Sequence, residues 1–166
     1  MPIVFIFPSN YIFTESSNIL IDLFKTFLSY LITRTWSFFI HIMLHTPMFA
    51  KYHKDHHVPI SDLTCVGCFA NSTFEFLWME SFAWVIGMSA VGGLPLFNAI
   101  LLGGYNFVNG AMDHSGFCLD NFWFNSIYHY VHHFEPTSNY AEFSFLDILY
   151  GTYKDYPINQ VVEAFK

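Results

Sequence analysis

Charge is scarce in this chain, and positive charge is scarcest. Only 11% of the 166 residues are charged, with six Lys or Arg against thirteen Asp or Glu, a formal net charge of -7. Binding a phosphate backbone needs clustered cations, so nucleic acid is excluded as a partner. Cysteine is equally sparse. Cys65, Cys68 and Cys118 are odd in number and too few for a disulfide framework. Cys65 and Cys68 form a CxxC, but no second CxxC and no βαβ context accompany it, which favours small buried residues over a redox or zinc pair. Familiar catalytic signatures are missing as well. There is no HExxH, no GxSxG elbow, no glycine-rich flavin or nicotinamide fingerprint, and no Glu or Asp three residues before any histidine. No internal repeat, low-complexity tract or flexible linker divides the chain, so residues 1–166 read as a single domain.

Apolar residues are abundant instead, at 54% hydrophobic and 21% aromatic. A soluble domain of this size buries only about two thirds of its unfolded surface, which leaves no good place for twenty-one phenylalanines outside lipid. The composition therefore indicates a membrane protein. Residues 1–18 have an apolar run without a basic n-region and with early prolines, which suggests an interfacial segment and not a cleavable signal. Ile19–Ile40 is twenty-two residues, long enough at about 1.5 Å per residue to cross a core of about 30 Å; the alternative is a buried amphipathic helix. Within it Asp22 and Lys25 can pair on one face, and Arg34 can snorkel. A second apolar region, residues 74–112, is broken by Gly-Gly-Leu-Pro at 92–95, which predicts a helical hairpin of Phe74–Val91 and Leu94–Met112. Glu75 and Glu80 fall in the first turns of the first arm, where carboxylates complement the helix dipole and stay near water. From Asp113 onward the chain reads as short interfacial helices and loops. The predicted fold class is all-α, with one span plus a helical hairpin.

Histidine is the conspicuous exception to the lack of polar groups. The stretch HIMLHTPMFAKYHKDHH holds five of the nine histidines within seventeen residues. His41 and His45 are spaced i, i+4, one helical turn apart on one face. Thr46-Pro47 breaks that helix and can begin another, with Thr46 as N-cap and Pro47 at the first position. There His53 reaches His56 and His57 at i+3 and i+4, and the same HxxHH spacing recurs at His129, His132 and His133; His114 stands alone where the hairpin returns. In the predicted topology all nine emerge on one membrane face. Lys51, Lys54, Lys154 and Lys166 share that face, so the positive-inside tendency puts it in the cytoplasm. Histidines buried beside apolar segments must be paired or ligated. Imidazole suits Zn, Cu, Fe and Ni, and nine exceed what one ion can hold, so the number points to two metals.

The motifs HIMLH, YHKDHH, HSGF and YHYVHHFEPTSNYAEFSFLDILYGTY together resemble the fatty acid hydroxylase superfamily, which includes sterol desaturases, C-4 methylsterol oxidases and fatty acid hydroxylases. The resemblance covers His41 to Tyr153. It implies a membrane enzyme with two non-haem iron ions that uses molecular oxygen to hydroxylate, oxidise or desaturate a sterol or fatty-acyl lipid. The implied ligands are His41, His45, His53, His56, His57, His129, His132 and His133, with His114 as a further one. Asp147, in the LDILYGT segment, is implied to be a residue supporting the ligands or the structure; read by itself, it could equally cap or solvate a helix. Cytochrome b5 or a similar carrier fed by NAD(P)H is the implied electron donor, and the expected location is the endoplasmic reticulum membrane. Ile42 stands where the family commonly has Arg, and Ala141 where Gly is frequent. Family members usually carry additional helices before the first motif, so a partner chain or homodimer is expected to complete the substrate tunnel. The rival reading is a non-catalytic or degenerate membrane protein whose histidines bind zinc or haem.

Overall fold

Asn18 opens the longest helix, because its side-chain oxygen accepts from the amide of Leu20 at 2.9 Å while its own backbone stays extended. Helix α1 then runs Ile19–Leu44, four residues beyond the predicted span, and stops where Pro47 disfavours helical geometry at Thr46. At about 1.5 Å per residue its 26 residues exceed the thickness of a hydrocarbon core, and it is the one helix among the described residues long and apolar enough to cross. The computed structural model describes residues 12–57, 67–117 and 126–155. Cys65, Cys118 and the first eleven residues of the predicted interfacial segment lie outside them.

The remaining elements are a short helix α2 (Lys54–His57), α3 (Thr73–Glu75), a π-helical turn (Phe76–Ser81), α4 (Phe82–Ala90), α5 (Leu96–Asp113), α6 (Ser126–Phe134) and α7 (Ser144–Tyr150). The protein is mostly helical, as the sequence predicts. The exception is a two-residue parallel pairing between β1 (Phe13–Thr14) and β2 (Leu94–Pro95). It forms at the predicted hairpin turn, where Gly92 and Gly93 take φ of 73° and 84°. A Cβ on Gly93 would come within 2.8 Å of Thr14, so only glycine lets β1 approach. The β pairing thus fastens the hairpin turn to the N-terminal end of α1, and the histidines lie at the opposite end.

α1 is turned inside out relative to a soluble helix. Ile19, Leu20, Leu23, Phe24 and Phe27 are exposed, whereas Ser29, Thr33 and Ser37, one turn apart, are buried. The small face lets α4 come close: a Cβ on Gly87 would collide with the Thr33 hydroxyl and lie 2.7 Å from the Ser29 carbonyl. Where the backbone widens into the π-turn, α1 side chains take up its carbonyls. Trp36 Nε1 donates to the Trp78 carbonyl at 2.8 Å and the Ser37 hydroxyl to that of Met79 at 2.9 Å, while Thr33 donates to Ala83 at 3.2 Å. A small apolar core of Ile12, Met88, Leu94 and Leu102 closes the hairpin end.

Three local expectations are corrected. Asp22 does not pair with Lys25 among the described residues; it is buried and accepts from the Ser16 hydroxyl at 2.6 Å instead. Arg34 does not snorkel, because Glu142 is brought beside it and the two form an ion pair, with Asn106 accepting a further hydrogen bond. Thr46 does not cap a second helix: its hydroxyl donates back to the Met43 carbonyl at 2.7 Å, so it finishes α1. A turn and a 3-10 segment, Ala50–Tyr52, follow before α2.

Candidate metal centre

All nine histidines come together, and they divide into two groups. His41, His45, His53, His57 and His132 form one, and His56, His114, His129 and His133 form the other; within each group the ligand nitrogens lie within 4.8 Å of one another. Helical spacing explains the division. His53 and His57, four apart at α2, contribute to the first group while His56 turns to the second; on α6 the relation inverts, with His129 and His133 in the second group and His132 in the first. Each HxxHH motif therefore serves both groups, and the two groups are neighbours. The His57 and His133 ring centroids are 4.6 Å apart.

Local hydrogen bonds fix which nitrogen faces inward. His41 Nδ1 lies 2.7 Å from the Tyr140 carbonyl, His132 Nδ1 2.7 Å from that of Ser138, and His114 Nδ1 2.9 Å from that of Gly110. A carbonyl can only accept, so in each case Nδ1 carries the proton and Nε2 presents a lone pair. His53 Nδ1 is held in the same way by the Glu75 carboxylate at 2.7 Å. The Nε2 atoms then face one another: His41 to His53 at 3.1 Å, His45 to His132 at 3.1 Å, His53 to His57 at 2.9 Å, His114 to His129 at 3.1 Å and His129 to His133 at 2.9 Å. Two nitrogens about 2.1 Å from a shared ion and roughly a right angle apart lie about 3 Å from each other, so the spacing suits ions held between the rings. Lone pairs turned toward one another in a buried site are repulsive without a cation, and both groups fit one.

Burial and crowding keep these rings neutral. Burial first, then the neighbouring His41 and His57, pushes His45 down to about 3, and burial followed by His114 pushes His57 down to about 4. Burial likewise lowers His56, His129 and His132 far below the ordinary histidine value. Neutral imidazole is the ligating form, so the rings are ready for metal near neutral pH.

The sequence reading missed Glu75 as a contributor. Instead of staying near water it is buried at 2% exposure, because the Ser72 cap at 3.1 Å starts its helix directly beneath His53. Asp147 proves to act two links from the rings. Its carboxylate accepts from Tyr128 Oη at 2.6 Å, the amides of Tyr140 and Ala141 at 2.9 and 2.7 Å, and Thr152 Oγ1 at 2.6 Å. It thereby fixes the segment whose carbonyls hold His41 and His132. Asn139 within that segment has φ of 56° and is pinned to the Lys154 backbone at 2.9 and 2.8 Å.

Beside the histidines lies a cavity of 590 Å³, lined by His41, His56, His114 and His129 and by apolar side chains such as Phe38 and Trp84. Its volume is that of a pocket for a ligand of modest size. Comparison with curated proteins and with solved structures gives no match. The family model described as fatty acid hydroxylase matches residues 26–152, which takes in all nine histidines, Glu75 and Asp147. With its four histidine motifs folded into two ion-sized groups beside the cavity, and the family model spanning all of them, the chain belongs to the fatty acid hydroxylase family.

Proposed function

We propose that this protein is a membrane-bound di-iron oxidoreductase that uses molecular oxygen to hydroxylate, oxidise or desaturate a lipid in lipid biosynthesis. The observation that carries the reading is the segregation of nine histidines into adjacent groups of five and four, with nitrogens at ligand spacing. His41, His45, His53, His57 and His132 would hold one iron, and His56, His114, His129 and His133 the other. Bound iron supplies the power to activate oxygen against an unactivated C–H bond, chemistry that side chains lack on their own.

The chain's own part is to bind, orient and exclude water. Glu75 and the carbonyls of Ser138, Tyr140 and Gly110 lock the tautomers and ring directions. The cavity receives the lipid beside the rings, and its aromatic lining keeps bulk water from the reacting carbon. Electrons would come from an external carrier such as cytochrome b5, reduced by NAD(P)H, and a second copy of the chain could complete the tunnel wall. One span and the helical hairpin would place the histidines on the cytoplasmic face of the endoplasmic reticulum membrane.

The test is expression of the full chain in a host deficient in lipid oxidation, with lipid mass spectrometry and iron analysis of the purified protein. Gain of one oxygen, or loss of two hydrogens, in a lipid supports the reading. An unchanged lipid profile together with iron-free protein would overturn it in favour of a non-catalytic histidine protein. Zinc bound at purification, or a Soret band, would identify that alternative.

A further inference from the structure

The cavity has a second chemical character that the histidines do not explain. Arg34, Glu80, Asn106, Asn109, Asp113 and Glu142 all line it, a concentration of polar side chains in a chain with few. Most are satisfied by one another. Glu142 is paired with Arg34 and accepts from Tyr30 Oη at 2.6 Å and from Asn109 Nδ2 at 3.0 Å; Asn109 Nδ2 also reaches Asp113 at 3.2 Å. Of these six, Asn106 and Glu80 are left over. Asn106 directs its oxygen to Arg34, which can only donate, so its Nδ2 must point away; that nitrogen is buried without a hydrogen-bond partner. Glu80 lines the same cavity and has no hydrogen bond among the described residues.

We infer that this end of the cavity is a subsite for the hydroxyl group of a neutral lipid alcohol. A hydroxyl is both donor and acceptor: its oxygen accepts from Asn106 Nδ2 and its proton is donated to the Glu80 carboxyl. Other headgroups match less well. The charged side chains of the lining are four acids, Glu75, Glu80, Asp113 and Glu142, against Arg34 alone, already paired with Glu142. A fatty-acid carboxylate would enter a site whose one lysine or arginine cation, Arg34, is already paired with Glu142, so its burial would go uncompensated. An ammonium offers Asn106 no acceptor. Position agrees with the assignment. Arg34 precedes His41 by seven residues, two turns on the same face of α1, so the subsite lies about 10 Å along the helix from the rings. A hydroxyl held there presents carbon further along the lipid to the histidines, not the carbinol carbon itself.

The inference rests on the lipid-oxidation reading for its ligand, yet it is read by binding and needs no turnover. Radiolabelled 1-octadecanol, octadecanoic acid and octadecylamine are titrated onto the purified full chain in detergent at neutral pH. The expected result is that octadecanol binds at least about tenfold more tightly than either of the others, since a buried donor and acceptor left unpaired discriminate strongly. In Asn106→Leu and in Glu80→Leu, checked for unchanged metal content, the preference should fall to about twofold or less. Equal or tighter binding of the acid or the amine by the unmodified protein would overturn the subsite, as would a preference that survives both substitutions. Octadecanol preference without any oxygen-dependent product upholds the subsite while removing the oxidase reading. An oxidised product without octadecanol preference does the reverse.

Discussion

His53 is the imidazole whose Nδ1 partner is a carboxylate, and this makes Glu75 the sharpest single-residue test of how the rings are held. The carboxylate fixes the tautomer and raises the basicity of the inward nitrogen. Glu75→Gln is expected to weaken metal binding by about 10–100-fold, measured by titration of ferrous iron under anaerobic conditions, with secondary structure unchanged. Asp147 acts through the backbone instead. In Asp147→Asn one of its donors, the Tyr140 or Ala141 amide, faces an N–H group, and an unpaired buried amide costs about 1–3 kcal/mol. The expected outcome is a lower melting temperature in detergent together with weaker metal binding, because His41 and His132 lose their fixed carbonyls. An effect on stability alone would mean that the segment does not position the rings.

At the scale of elements, the contact of α1 with α4 decides where the histidine end is built. Gly87→Leu would drive a side chain into Thr33 and the Ser29 backbone, and overpacking of this kind costs about 1–3 kcal/mol; thermal unfolding should show it. Much of this layer was legible in the sequence. The long helix, the Gly-Gly hairpin turn and the i, i+4 histidine pairs are local, because periodicity and glycine chemistry act over a few residues. What escaped was set by tertiary contact. Arg34 found Glu142, 108 positions away, Glu75 found His53, and the carbonyls of the π-turn found Trp36 and Ser37. No spacing rule announces such partners. The nine histidines were legible as a set, yet their division was not: which of His56 and His57 joins His53 depends on how α2 and α6 face each other.

For the whole molecule, lowered histidine values link folding to pH. His57 and His45 titrate at about 4 and about 3 when folded, against 6.5 for the free side chain. Between those values the unfolded chain binds more protons than the folded one, so stability of the metal-free protein falls as pH drops below 6.5 and is unaffected by these groups above it. Melting temperatures measured from pH 7.5 to 4.5 should therefore decline on the acid side. Iron should leave over the same range, because protons compete for the ligating nitrogens. Both effects follow from one arrangement: apolar side chains outward, imidazoles inward, and two ion-sized groups at one end of the helices. Metal stoichiometry tests that arrangement most directly. Full-length protein loaded anaerobically with ferrous iron, with iron counted per chain, is predicted to hold two, and His45→Ala and His129→Ala are each predicted to hold one. A single iron in the unmodified chain, or two retained in either variant, would contradict the division of the nine histidines into two centres.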